Sequence, residues 1–154
     1  MAGHALQPVE ESDLPELLPL MRGYCDFYEV ATPDEELLAV SRGLIADHAG
    51  EGLQLLARST ENGEAIGFAT IFWSWSTLSG SRIGVMNDLF VAREARGSGV
   101  AEALILECVQ RCRQRGGVKS LQWQTAKDNA RAQALYDRVG GKRDEWLDYS
   151  LEVG

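Results

Sequence analysis

Leu14, Leu17, Leu18, Met21, Cys25 and Tyr28 recur at spacings of three and four, which places them along one face of an amphipathic helix. Ser12 ahead of them, with Asp13, Pro15 and Glu16 in the first turn, supplies the start signal. The signal repeats with Thr32 as cap, Pro33 at the first helical position and acids at 34–36. A second helix then runs through Leu37, Leu38, Val40, Leu44 and Ile45 to a stop near Gly50. Before both, residues 5–10 predict a short strand that Pro8 confines to a sheet edge or to its first residues.

From residue 53 the period shortens. Residues 53–59 predict a strand, 61–64 hold the Asn-Gly pair of a tight hairpin, and 65–76 form a long β-rich run. A turn at 79–81 leads into a further strand over 82–91, so three strands joined by short turns imply an antiparallel meander. A long helix over about 98–115 follows, with Ala101, Leu104, Ile105, Cys108 and Cys112 on one stripe and Gly116–Gly117 at its end. Residues 119–125 predict the next strand, and strand–helix–strand order demands a parallel, right-handed crossover. Asp128 or Asn129 caps a last helix to about Val139, and 145–153 (EWLDYSLEV) predict a closing strand. No repeat, linker or low-complexity segment interrupts this order, so residues 1–154 read as one mixed α/β (α+β) domain.

Charge narrows the partners. A net charge of −8 disfavours non-specific attraction to nucleic acid or an anionic membrane. Cys25, Cys108 and Cys112 form no CxxC pair, and Cys108 and Cys112 are one helical turn apart, as expected of buried thiols. With His4 and His48 as the histidines, no recognised metal-ligand spacing can be assembled. The start MAGHALQPVEES has neither a basic region nor an apolar core, and no apolar run approaches a membrane span, so a cytoplasmic protein is expected.

The stretch 87–101 (NDLFVAREARGSGVA) carries the chemistry. It reads as an apolar strand ending near Val91, a polar turn, and a glycine-bearing opening to the long helix. Gly97 and Gly99 let the backbone approach a ligand closely, and the amides of a helix start attract anions, phosphates above all. A P-loop fits poorly because no lysine follows these glycines. A dinucleotide fingerprint fits poorly, because Glu102 occupies the place of the third glycine and a meander precedes the turn.

Arg96-Gly97-Ser98-Gly99-Val100-Ala101 resembles the Q/R-x-x-G-x-G/A signature of the GNAT superfamily of N-acetyltransferases. Asn129, Ala132, Leu135, Tyr136 and Gly140–Gly141 are similar to that family's N-x-x-A-x-x-L-Y-x-x-x-G segment. The resemblance covers nearly the whole chain. It implies a mixed, mostly antiparallel central sheet with a V-shaped splay between two parallel strands and helices on both faces. It implies acetyl-CoA as co-substrate. Arg96 and the amides of 97–101 would hold the pyrophosphate, with Arg93, Lys127 or Arg131 at the ribose phosphate and Asn129 and Ala132 as further coenzyme contacts. The backbone of Leu89, Phe90 and Val91 would bind pantetheine as an added strand does, and an amide there would polarise the thioester. Tyr136 matches the family tyrosine that faces the sulfur, which makes it the general acid.

Asp88 is the second catalytic candidate. In a regular strand it shares a face with Met86 and Phe90, where an unsolvated carboxylate is unfavourable. Within the family, NDLFV and RGYCDFYEV (22–30) look most like the polyamine/diamine acetyltransferase branch, in which an acidic pair precedes the apolar ending. Asn87 replaces the first acid, so Asp88, or a water chain from it, takes the place of the base. Tyr28, Glu29, Trp75, Asn87 and Trp123, with Tyr24 and Gln124, are candidates to line the acceptor site, since acids and aromatic faces suit an ammonium group. For each singly, core packing or simple exposure is an equal alternative. The expected activity is direct acetyl transfer to a small primary amine, polyamine-like or amino-acid-like. The alternatives are protein Lys or N-terminal acetylation and a non-catalytic acyl-CoA sensor. The resemblance also favours a homodimer, formed through the C-terminal strand.

Overall fold

Five strands hydrogen-bond in the order in which the chain presents them: β1 (His4–Pro8), β2 (Gly52–Ser59), β3 (Ala65–Ser76), β4 (Ser81–Val91) and β5 (Val118–Gln122). This is seen in a computed structural model that describes residues 3–47 and 49–154. The helices are α1 (Leu14–Phe27), α2 (Asp34–Ile45), α3 (Val100–Arg115) and α4 (Ala130–Arg138). By contact density the chain divides into one unit that ends at Gln124 and another that runs from Thr125 to Gly154.

In the first unit, β1 to β4 are antiparallel neighbours and β4–β5 is parallel, with α3 as the crossover. The meander and the parallel crossover are both as the periodicity predicts. The last β4–β5 partners are Val85 and Gln122, whereas β4 continues to Val91. Its terminal part therefore leaves β5 behind, which is the splay that the resemblance implied.

Facing residues of an antiparallel pair project to the same side of the sheet, so the register assigns each side chain a face. Gly67, Ala69 and Ile71 face α3, whose Val100, Leu104, Ile105, Cys108 and Cys112 are buried against the sheet. A Cβ on Gly67 would lie 2.9 Å from the Phe90 carbonyl oxygen and 3.3 Å from Val100, so the glycine lets α3 seat close to β3. Phe68 faces the other way and joins Leu14, Leu17, Leu20 and Met21 of α1 in a second cluster with Leu56. There a Cβ on Gly23 would meet the Phe90 ring at 2.8 Å, so α1 crosses β4 in close contact. Arg58 ties β2 to the start of α1 through Asp13 and Glu16, both at 2.8 Å.

Several boundaries move for local reasons. The chain enters α1 through a 3-10 turn at Glu11–Asp13, where Asp13 Oδ2 accepts the Glu10 N–H at 2.8 Å, so Ser12 is not the cap. Pro33 caps α2 in place of Thr32. α3 begins at Val100 because Gly99 is left-handed, and Val100 rather than Ala101 leads its buried stripe. Cys25, Cys108 and Cys112 are buried free thiols, as expected, and burial pushes Cys108 up to about 12. His48 lies outside the described residues. Among the described residues no helix is long and apolar enough to cross a membrane.

The second unit holds α4, capped by Asn129, whose Oδ1 accepts the Ala132 N–H at 3.2 Å. Of the two predicted caps, it is Asn129. The predicted closing strand at 145–153 does not form. Leu147, Tyr149, Leu151 and Val153 alternate with polar residues as a one-sided strand should, yet they are 66–100% exposed. A ladder needs a partner, and none of the described strands pairs with this segment.

Candidate active site

The end of β4 leads through a 3-10 turn (Arg93–Ala95) into Arg96–Gly99 and then α3. Gly97 and Gly99 take φ of 82° and 87°. A Cβ on either would meet nothing within 4 Å, so backbone conformation, not crowding, demands glycine. Gly99 is the N-cap and offers no side-chain cap, and the first intrahelical bond runs from the Ala103 N–H to the Gly99 carbonyl at 3.0 Å. The amides ahead of it point out of the helix start, where an anion finds both donors and a partial positive charge. Arg96 donates from Nε to the Val91 carbonyl at 3.1 Å and lies 5.6 Å from the Phe90 ring centre, so its guanidinium is anchored to the end of β4. His4 Nε2 lies 3.1 Å from the Ser98 carbonyl oxygen and tethers the turn to β1. No motif or spacing in the sequence pointed to His4.

β4 is not regular above this turn. Ile71 faces Met86, but Thr70 faces Asp88, so Asn87 is an extra residue in a bulge. The bulge reverses the alternation. Met86 shares the α3 face with Ile71, while Asp88 and Phe90 turn to the α1 face with Thr70 and Phe68. The expectation that Met86 and Asp88 share a face is thus corrected.

On that face the Asp88 carboxylate lies beside the side chains of Thr70, Tyr24 and Asn87. Asn87 Nδ2 donates at 3.3 Å. Burial raises the Asp88 pKa above the usual carboxylate value, against the pull of those three donors. Behind Thr70, Gln54 Nε2 donates to Thr70 Oγ1 at 3.1 Å. Tyr24 stands among Tyr28, Phe68 and Phe90, with ring centres 5.2, 6.0 and 6.4 Å away. Burial first, and then the Asp88 charge, push its phenol well above the ordinary tyrosine range. Sequence reasoning missed Thr70 and Gln54, which read as a β-former and a polar position in two strands.

The other candidates are spread more widely. Tyr28 and Glu29 close α1 in a Schellman turn: the Val30 N–H reaches the Cys25 carbonyl at 2.9 Å and the Glu29 N–H the Asp26 carbonyl at 3.1 Å. Glu29 takes the left-handed position with φ 57°, the one non-glycine at positive φ among the described residues. Trp75 faces Arg82 near the β3–β4 hairpin, about 17 Å along the strand from Thr70 at ~3.3 Å per residue. There it lines an open depression of about 590 Å³ with Arg82, Arg115 and Lys119, and the structure does not bring it to Asp88. Trp123 is half-buried and Gln124 exposed, just beyond the end of β5. Leu89 turns to the α3 face and Phe90 to the α1 face, and both lie in the splayed part of β4. Arg93 is exposed in the 3-10 turn, and Lys127 and Arg131 are exposed in the second unit. Tyr136 is half-buried on α4 and accepts the Gly141 N–H on its carbonyl at 2.9 Å.

Residues 17–141 match the Acetyltransferase (GNAT) family. The chain is 32% identical to the uncharacterized N-acetyltransferase YhfO of Bacillus subtilis over 96% of its own length and 97% of the relative's. It is 39% identical to a D-amino-acid N-acetyltransferase of Saccharomyces cerevisiae over 60% of this chain and 56% of that one. The solved structure of a probable acetyltransferase superposes with a TM-score of 0.83 at 28% identity, covering 97% of this chain and 98% of that one. The aminoglycoside N-acetyltransferase AAC(6')-Iy in complex with CoA shares the fold, with a TM-score of 0.84 at 19% identity over 100% and 97% of the two chains. A left-handed glycine turn on an open helix start, a splayed β4 and these relatives converge: the chain belongs to the GNAT family and is an acetyl-CoA-dependent N-acetyltransferase.

Proposed function

We propose that this enzyme acetylates the primary amine of a small cationic or amino-acid-like molecule, in a polyamine/diamine-like manner, with Asp88 as base and Tyr136 as acid. The observation that carries the reading is the bulge at Asn87, which turns Asp88 onto the α1 face beside Tyr24 and away from the α3 core. A raised carboxylate pKa brings the group nearer to what a general base needs at neutral pH. Glu29 adds support. A non-glycine at positive φ is strained by about 1 kcal/mol or more, a strain that tends to persist where the side chain serves function. The resemblance of NDLFV to the polyamine/diamine branch and the D-amino-acid activity named for the yeast relative point the same way.

Acetyl-CoA is the co-substrate and supplies an activated acetyl thioester. The Gly97–Ala101 amides and Arg96 hold its phosphates, and the outer edge of β4 at Leu89–Val91 offers backbone groups to its amide-bearing arm. Asp88, with Glu29 and Asn87, orients the acceptor ammonium and removes its proton, leaving a lone pair for attack on the carbonyl carbon. An N–H of β4 stabilises the negative oxygen that forms there. As the C–S bond breaks, Tyr136 gives its phenolic proton to the departing sulfur, and the extra proton that the new amide nitrogen sheds restores the phenol. Residues 1–154 act in this as one acetyltransferase domain, in line with a family match that runs across Gln124 and Thr125. The alternating segment 147–153 is the element through which two copies would pair.

Colorimetric release of the coenzyme thiol across diamines, D- and L-amino acids, aminoglycosides and peptides with free N-termini tests the reading. Turnover with small amines and none with peptides is expected. Turnover with peptides alone, or coenzyme binding without turnover, would replace it with protein acetylation or a sensor. Tyr136→Phe should lower turnover about tenfold or more with coenzyme affinity unchanged.

A further inference from the structure

The polar chain beneath Asp88 has a direction. A threonine hydroxyl owns one proton, and Thr70 Oγ1 already receives an N–H from Gln54 at 3.1 Å. Its own proton is therefore available to Asp88, which faces it across β3 and β4. The Tyr24 hydroxyl comes in from α1 beside the same carboxylate and donates to the Asn87 carbonyl oxygen at 3.4 Å, so it holds the bulge. Two elements, β3 and α1, thus bring hydroxyls to the surroundings of one carboxylate. Gln54 and Thr70 are 4% and 0% exposed, on the same face as the apolar Leu56 and Phe68. Packing alone does not explain them. Apolar side chains would fill that space without the Gln54 Oε1, which is buried and has no partner among the described residues.

We propose that Tyr24 and Thr70 are positioning residues for acetyl transfer: they fix the Asp88 carboxylate toward the acceptor, and Gln54 sets the direction of the Thr70 hydroxyl. This rests on Asp88 being the base. Facing Asp88 are Asn87 of its own strand, Thr70 of β3 and Tyr24 of α1, with Tyr28 and Cys25 behind the tyrosine. None of these is a cation. The hydrogen bonds are what oppose burial, so removing one makes the carboxylate take its proton at higher pH.

The test uses the full chain. The Asp88 carboxyl is titrated by 13C NMR of aspartate-labelled protein, assigned by its loss in Asp88→Asn, beside the pH profile of kcat/KM for the best amine found in the panel. Tyr24→Phe keeps the ring in its aromatic cluster, and Thr70→Val keeps the shape of the side chain. Each is expected to raise the Asp88 titration by about one pH unit. Thr70→Ser should restore it, and the acidic limb of kcat/KM should move in step while KM for acetyl-CoA stays constant. An Asp88 titration unmoved in both folded variants overturns the positioning role. A titration that moves while the acidic limb does not overturns Asp88 as base, and the positioning role in catalysis with it.

Discussion

The two faces of the sheet are built by different means. Against α3 the sheet is apolar, and the face ends in a turn set by its backbone: two left-handed glycines and an open helix start. Against α1 the core admits a group of polar side chains, Gln54, Thr70, Asp88 and Tyr24, drawn from β2, β3, β4 and a helix. The glycine turn depends on conformation, which consecutive residues can encode. The polar group on the α1 face depends on side chains from distant elements, and one inserted residue, Asn87, decides which of them meet.

The largest effect should come from the apolar face. Leu104 is fully buried, so Leu104→Ala is expected to lose about 2–5 kcal/mol of stability in urea unfolding, with acceptor preference unchanged in the folded enzyme. A loss below that range would show that α3 is not the keystone its packing suggests. Next, Gly99→Val places a β-branched residue at φ 87°. Coenzyme affinity measured by calorimetry should fall by ~100-fold, about 2.8 kcal/mol, and retained affinity would move the phosphate site elsewhere.

The polar face should respond with the opposite sign in stability. Burial holds the Asp88 pKa above its unfolded value. Its contribution is therefore fully present below the unfolded pKa and is lost as pH rises through the folded one. Asp88→Asn should raise the melting temperature at pH 7 by about 2–5 °C and remove that loss, and a lowered melting temperature would contradict the sign. Asp47 behaves in reverse: it accepts the backbone N–H groups of Ala49, Gly50, Glu51 and Gly52, its pKa is lowered, and its contribution is lost as pH falls through that depressed value. Smallest, Glu29→Gly should stabilise the fold by about 0.5–1 kcal/mol in the same unfolding assay while weakening cationic acceptors. Gain of stability without loss of acceptor affinity would reduce Glu29 to a turn residue.

How much of this was legible follows from the same division. The order of strands and helices, the parallel crossover and the Gly97–Gly99 turn could be read directly, because period and glycine placement are local properties. Asp88 was singled out, but its neighbours were misjudged: a strict period of two paired it with Met86, and nothing in the sequence marks Asn87 as an extra residue. Thr70 and Gln54 carry no signal at all, since a threonine in a strand needs no special explanation. The segment 147–153 shows the converse failure. Its alternation is that of a strand, but alternation specifies a face and does not supply a partner.

The most direct test is the pH dependence of kcat/KM for the best small amine, in the wild type and in Asp88→Asn. If the bulge makes Asp88 the base, the wild type shows an acidic limb that the variant lacks, and the variant falls about tenfold or more below the plateau. Equal plateaus with the same limb in both would contradict it.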